Sequence, residues 1–133
     1  MMPTTATPAD RRMILSTLWI FALFNYLYAD FVTLMVSPAT TQMAARMSEI
    51  AVLGLAILME TAVLMVVLAR VLPHRQNRWC NIAAGILHTV FVASTIVRGV
   101  PPLYYIFFAA IEITCTGFIV WYAWSWRQAP LAA

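Results

Sequence analysis

The sequence contains no lysine, and only 10% of its 133 residues are charged. Soluble domains usually carry about 25% charged residues, so this composition argues against both a water-soluble globule and a disordered chain. The only cysteines are Cys80 and Cys115, which argues against a disulfide-stabilised secreted domain and a Cys-x-x-Cys oxidoreductase. The eight arginines are scattered along the chain, so the sequence does not indicate a nucleic-acid-binding protein.

Apolar residues make up 63% of the chain and form four long stretches. A helix that crosses the hydrocarbon layer needs about 20 such residues. Breakers separate the stretches at Ser37-Pro38, at Pro73 and at Pro101-Pro102. We therefore predict a single all-α domain, an integral membrane up-down four-helix bundle, with spans at 13–36, 44–72, 79–98 and 103–126.

The arginines predict the orientation of this bundle. Cytoplasmic loops are enriched in arginine and lysine. With the N-terminus inside, the cytoplasmic side carries Arg11, Arg12, Arg70, Arg75, Arg78 and Arg127, and the opposite side carries Arg46 and Arg98. Both termini are therefore predicted to be cytoplasmic, and the predicted location is the bacterial inner membrane, with the lipid bilayer as partner.

Each predicted span contains one ionisable residue away from the span ends, near which Glu49 and Arg98 lie, and such buried ionisable residues usually face the interior of a bundle. They are Asp30, Glu60, His88 and Glu112. Helical spacing places each on a stripe with small or hydrogen-bonding residues, for example Glu49, Leu53, Ala56 and Glu60 in the second span. We expect an outward-opening polar pocket with three candidate catalytic groups at its floor: Glu60, His88 and Glu112.

Other residues are expected to line this pocket and contact a ligand. Asp30 and Arg98 lie at the predicted level of the rim, where they could pair. The same stripes add four further candidate binding residues: Trp19, Tyr26, Asn81 and Tyr105. Asn25 falls off the Asp30 stripe and is interpreted as a helix contact.

No metal or cofactor is expected. A di-iron carboxylate bundle needs Glu-x-x-His on two helices, and neither Glu60 nor Glu112 is followed by a histidine at that spacing. A bis-histidine haem site fails as well, since His74 is expected in the Pro73 loop and only His88 lies within a span.

The segments Leu15–Phe21, Asn25–Asp30 and Leu34-Met35 resemble the opening of a family of small bacterial four-span membrane proteins with no assigned activity. A weaker resemblance continues through Met59-Glu60 and from Asn81 to His88. It implies the four-span fold and implies nothing about chemistry. The small multidrug transporters also have four spans and an acid in the first, but this chain has only four glycines and its acid lies late in the helix.

Three functions fit these observations. The first is a membrane protein that binds or converts a lipophilic small molecule, because carboxyl groups in apolar surroundings tend to stay protonated and can act as acids. The second is a proton-coupled transporter, for which a homodimer would be expected. The third is an accessory subunit whose buried polar residues only fix the helix packing.

Overall fold

The computed structural model describes residues 7–126, apart from the side chain of Thr41. Within this part of the chain there are five helices and no strand. Four of them, all except the second, are long and apolar enough to cross a membrane. The helices are α1 (Pro8–Val36), α2 (Pro38–Ala45), α3 (Glu49–Val71), α4 (His74–Val97) and α5 (Leu103–Trp124).

Capping residues and prolines determine where these helices begin. The Thr7 side chain accepts a hydrogen bond from the Asp10 amide, and the Asp10 carboxylate accepts one from the Thr7 amide, which forms a capping box. Ser48 caps α3 by accepting a hydrogen bond from the amide of Ala51. Prolines hold the first helical position of α1 and α2 and precede the first residue of α4 and α5.

Three of the long helices begin at residues other than the predicted starts of their spans, and α1 begins at Pro8 where the span was predicted from residue 13. The second span was predicted from residue 44, but α3 begins at Glu49, and the preceding connection contains the short helix α2. Proline is well suited to the first helical position, which is compatible with the start of α2 at Pro38. The third span was predicted from residue 79, but α4 begins directly after Pro73, so His74 lies in its first turn.

The four long helices contact one another in a closed order. Helix α1 packs on α3 and α5, and α4 packs on the same two helices. The start of α1 lies beside the last turns of its two neighbours: Arg12 Nη1 donates to the Arg70 carbonyl at 3.2 Å, and Arg11 Nη1 donates to Ser125 Oγ at 3.4 Å. Large apolar side chains cover much of the outer surface, among them Phe21, Phe24, Leu53, Phe107 and Trp121.

The contact between α4 and α5 is close at Gly85. A Cβ atom built at this position would lie 2.6 Å from Val120 Cγ2 and 3.2 Å from the Thr116 carbonyl oxygen. The hydroxyl groups of Thr89 and Thr116 are 2.7 Å apart across the same seam. A glycine is therefore needed here so that the two backbones can approach each other.

Candidate functional site

The interior between the long helices contains an unusual number of polar side chains. Six polar or ionisable residues are buried, and five of them belong to α4 or α5. They are Ser16, Asn77, Asn81, His88, Glu112 and Thr116. Buried polar groups need hydrogen-bond partners. Their contacts therefore show which helices they join and which donor or acceptor atoms remain unpaired.

One group of side chains surrounds the imidazole of His88, and we call Trp19, Tyr26, Thr61 and His88 the His88 cluster. The His88 ring is fully buried. Its centroid lies 5.5 Å from the ring of Trp19, edge to face, and 5.5 Å from the ring of Tyr26. Its Nε2 atom lies 2.9 Å from Thr61 Oγ1. Helices α1, α3 and α4 therefore meet around one imidazole.

The contacts of Thr61 determine which His88 nitrogen carries the proton. A threonine hydroxyl has a single hydrogen, and that of Thr61 is donated to the Leu58 carbonyl oxygen at 2.6 Å. Thr61 Oγ1 must then accept from His88, so Nε2 is the donor. In a neutral imidazole the other nitrogen, Nδ1, is then an acceptor.

Two polar atoms of the His88 cluster lack a partner. His88 Nδ1 and the Tyr26 hydroxyl are buried and form no hydrogen bond within residues 7–126. Leaving a buried polar group unpaired costs roughly 1–3 kcal/mol. The ring centroids of Tyr26 and His88 lie 5.5 Å apart, so an acceptor and a hydroxyl without protein partners are buried in the same cluster.

A chain of amide contacts connects the His88 cluster to the end of α3. Trp19 Nε1 donates to Asn81 Oδ1 at 2.8 Å, and Asn81 Nδ2 donates to Asn77 Oδ1 at 2.6 Å. Asn77 Nδ2 in turn donates to the Ala69 carbonyl oxygen at 2.6 Å. All three side chains are fully buried. Each polar side-chain atom of Asn77 and Asn81 has a protein partner, so these residues join α1, α3 and α4, and contact of Asn81 with a ligand stays a prediction.

Glu112 is the one buried carboxylate in the described part of the chain, and its side chain is 5% exposed. Its Oε1 accepts a hydrogen bond from Asn25 Nδ2 at 3.2 Å, and the same nitrogen donates to the Phe108 carbonyl oxygen at 3.1 Å. Asn25 thus uses its amide group to join α1 to α5. This residue contacts a neighbouring helix, as the sequence suggested, and it also binds the buried acid.

The predicted position of Glu60 is wrong, because its side chain is exposed and not at the floor of a pocket. The stripe of Glu49, Leu53, Ala56 and Glu60 is exposed throughout. The inward face of α3 carries smaller or apolar side chains instead: Ala62, Met65 and Ala69. Neighbouring helical residues are about 100° apart, so when Thr61 points toward His88, Glu60 points away.

The predicted rim residues do not pair either. Asp30 and Arg98 are both exposed near the ends of their helices, and no ion pair joins them in the part of the chain that the structure describes. Exposed charges gain little from pairing, so nothing compels these side chains to meet. Tyr105 is half-buried, and its hydroxyl donates to Thr95 Oγ1 at 2.7 Å. Ligand binding by these three residues stays a prediction.

An apolar groove runs along the outside between α1 and α5. Its volume is about 560 Å³, within the range of small-molecule sites. Cys115 lies at the base of the groove, and its Sγ approaches the Leu18 carbonyl oxygen at 3.5 Å. Cys115 follows Glu112 by one helical turn on α5. The lining residues include Leu18, Phe21, Phe107, Ile111, Cys115 and Phe118.

Sequence reasoning missed Thr61 and Asn77. The small residues Ala62 and Ala69 could have indicated the inward face of α3, because small side chains are enriched where membrane helices contact one another. Thr61 borders that stripe and Asn77 bonds to its last member.

Comparison with known proteins identifies the family of the chain. No curated protein and no solved structure matches it. A family of unknown function matches residues 5–133, which is nearly the whole sequence and includes all five helices. The chain therefore belongs to the family of unknown function DUF6326.

Proposed function

We propose that this protein is an integral membrane protein of the bacterial cytoplasmic membrane, an up-down four-helix bundle with both termini in the cytoplasm. The four long apolar helices and the apolar outer surface support this placement. The starts of α1 and α4 and the end of α3 contain five arginines in all, which favours the cytoplasmic side for that end.

Within this bundle we propose a binding site for a lipophilic small molecule at the His88 cluster. The observation that supports it is the pair of buried, unpartnered polar atoms, the Tyr26 hydroxyl and His88 Nδ1. A ligand that binds both atoms would remove the cost of leaving them unpaired. The aromatic rings of Trp19 and Tyr26 supply apolar contact area around that point.

The donor and acceptor pattern indicates the polar group of the ligand. His88 Nδ1 is an acceptor when Nε2 donates to Thr61, so the ligand must donate a hydrogen there. The Tyr26 hydroxyl can donate in return. An alcohol group meets both needs, because one hydroxyl both donates and accepts. A ketone or ether could accept from Tyr26 but would leave His88 Nδ1 unpaired.

The groove between α1 and α5 supplies the place for the apolar part of such a molecule. Its lining is almost entirely apolar, and its base at Cys115 adjoins the buried core that includes Tyr26. The proposal is binding and not conversion by two carboxylates, because Glu60 is exposed and Glu112 is the one buried acid of the described residues.

Thermal unfolding in a neutral detergent tests the proposal with 1-dodecanol and, as a matched control, dodecyl methyl ether. We expect dodecanol to raise Tm by about 3 °C more than the ether, because specific binding to the folded state shifts unfolding. Tyr26→Phe and His88→Gln should each remove this difference. Tyr28→Phe should retain it, since Tyr28 lies on the same helix and is 61% exposed. Equal shifts with the two probes would overturn the proposal.

A proton-coupled transporter is the second candidate, and Glu112 is the observation in its favour. A carboxylate that is 5% exposed inside a membrane bundle is a common site of proton exchange. Uptake of a lipophilic cation into proteoliposomes under a pH gradient should then depend on Glu112 and not on Glu60. Absence of gradient-driven uptake in the wild type would exclude this candidate for that class of substrate. Stoichiometric co-purification of another protein would instead favour an accessory subunit.

A further inference from the structure

Most arginines of residues 7–126 lie at one end of the molecule. We call it the basic end; its residues are Arg11, Arg12, Arg70, Arg75 and Arg78. The one carboxylate near it in the described part of the chain is Asp10, which binds the amide and hydroxyl of Thr7. At the opposite end, the two positive charges of Arg46 and Arg98 are equalled in number by the two negative charges of Asp30 and Glu49. The basic end therefore presents a net positive surface.

Neutral groups accept hydrogen bonds from the guanidinium groups of Arg12 and Arg70 at this end. Arg12 Nη1 donates to the carbonyl oxygen of Arg70, and Arg70 Nε donates to Ser16 Oγ at 2.9 Å. Two cations thus lie at one seam between α1 and α3, and no carboxylate among residues 7–126 forms a salt bridge with either. Like charges repel, so an anion bound between them would stabilise this arrangement. The planar fork of arginine matches the geometry of a phosphate group.

Aromatic rings flank the same surface. The Arg11 guanidinium lies 5.0 Å from the ring centroid of Tyr122, and that of Arg78 lies 5.3 Å from the centroid of Trp124. Tryptophan and tyrosine are enriched at the level of lipid headgroups. The basic end thus combines arginines for a phosphate with aromatic residues suited to the membrane interface.

We propose that the basic end binds the phosphate of an anionic phospholipid headgroup, with Arg12 and Arg70 as the residues that contact it. The cytoplasmic leaflet is rich in anionic lipid, and arginines at its surface are attracted to it. The proposal depends on the membrane placement argued above and is independent of the alcohol site at the His88 cluster. Two fixed guanidinium groups distinguish it from the general attraction of any basic loop.

The experiment measures thermal unfolding of the full chain in neutral detergent with added dioleoyl phosphatidylglycerol or dioleoyl phosphatidylcholine. We expect phosphatidylglycerol to raise Tm by about 5 °C more than phosphatidylcholine. The Arg12→Gln/Arg70→Gln double variant should lose most of this difference. The matched Arg46→Gln/Arg98→Gln variant removes the same charge from the other end and should keep it. Tyr26→Phe should keep it too, which separates this test from the test of the alcohol site.

Three results would overturn the proposal. Equal stabilisation of the wild type by the two lipids excludes selective headgroup binding. An undiminished difference in the Arg12/Arg70 variant places the binding elsewhere, and inorganic phosphate that reproduces the shift identifies a site for a free anion. If the double variant gives no cooperative transition, Arg12→Lys decides: it keeps the charge, loses the planar fork and should lose at least half of the difference.

Discussion

Thr61 and His88 are joined across the α3–α4 contact by a hydrogen bond of 2.9 Å from imidazole Nε2 to the threonine Oγ1. The threonine is the immediate neighbour of Glu60, the residue that the sequence pattern favoured for this position. Because the Thr61 hydroxyl donates to the Leu58 carbonyl oxygen, Nε2 is the donor in this contact, and Nδ1 of the neutral imidazole is an acceptor. The donor and acceptor pattern of the proposed ligand site therefore depends on Thr61, an uncharged residue.

Replacing Thr61 with valine should destabilise the fold by roughly 1–2 kcal/mol, since the change keeps the shape and leaves His88 Nε2 without an acceptor. Thr114→Val is the matched control, because the exposed Thr114 hydroxyl donates only to Ala110 in its own helix. Thermal or denaturant unfolding in detergent measures both. Equal losses in the two variants would contradict the assigned role of Thr61.

Replacing Trp19 with phenylalanine should cost roughly 2–4 kcal/mol. The change creates a cavity at a fully buried site and leaves Asn81 Oδ1 without its indole donor. Trp121→Phe makes the same chemical change at a side chain that is 60% exposed, and it should cost less than about 1 kcal/mol. A Trp19 variant as stable as the Trp121 variant would show that the amide chain contributes little.

Gly85→Ala should destabilise the protein by roughly 1–3 kcal/mol, because the new methyl group would overlap Val120 and press on the backbone of Thr116. Gly117→Ala supplies the control on the partner helix. A Cβ atom there meets nothing within 4 Å, and alanine favours helix over glycine. We expect Gly117→Ala to be neutral or slightly stabilising, so a change of the same sign in both variants would contradict the close approach at Gly85.

Glu112→Leu should destabilise the protein, and Glu60→Leu should not. Removing the exposed Glu60 takes a charge from an outer surface that we place in lipid, so the variant should be at least as stable as the wild type. Removing Glu112 takes away one acceptor of the Asn25 amide and should cost roughly 1–3 kcal/mol. Unfolding of the two variants in the same detergent checks this, and a larger loss for Glu60→Leu would place that residue inside after all.

The sequence was sufficient to predict the four long helices, but it did not indicate correctly which side of α3 faces the interior. Helix α1 distributes its polar residues unevenly, and Trp19 and Tyr26 are buried as expected. Helix α3 has apolar residues on every side, so hydropathy gives it no preferred inner face. The rule that ionisable residues face inward then selected Glu60. The small residues Ala62 and Ala69 carried the better signal, because close helix contacts require small side chains.

The connection from residue 37 to 48 shows a second limit. Its composition is polar and small, with Pro38 near its start, and the pattern suggested a turn. Proline is compatible with the first helical position as well as with a turn, so the residue alone does not distinguish α2 from a loop. The sequence also could not predict that the Tyr26 hydroxyl and His88 Nδ1 are unpaired, because this depends on which side chains of the neighbouring helices lie within hydrogen-bond distance.

Trp19 connects the His88 cluster with the chain of contacts through Asn81 and Asn77. Its ring lies against the His88 ring, while its indole nitrogen holds Asn81, which in turn holds Asn77 and the carbonyl of Ala69. A molecule that displaces His88 by pushing on Trp19 must therefore either break the indole bond or move the asparagines with it. Ala69 precedes Arg70, so these hydrogen bonds form one continuous connection from the ring of Trp19 to the backbone beside a charged residue at the end of α3.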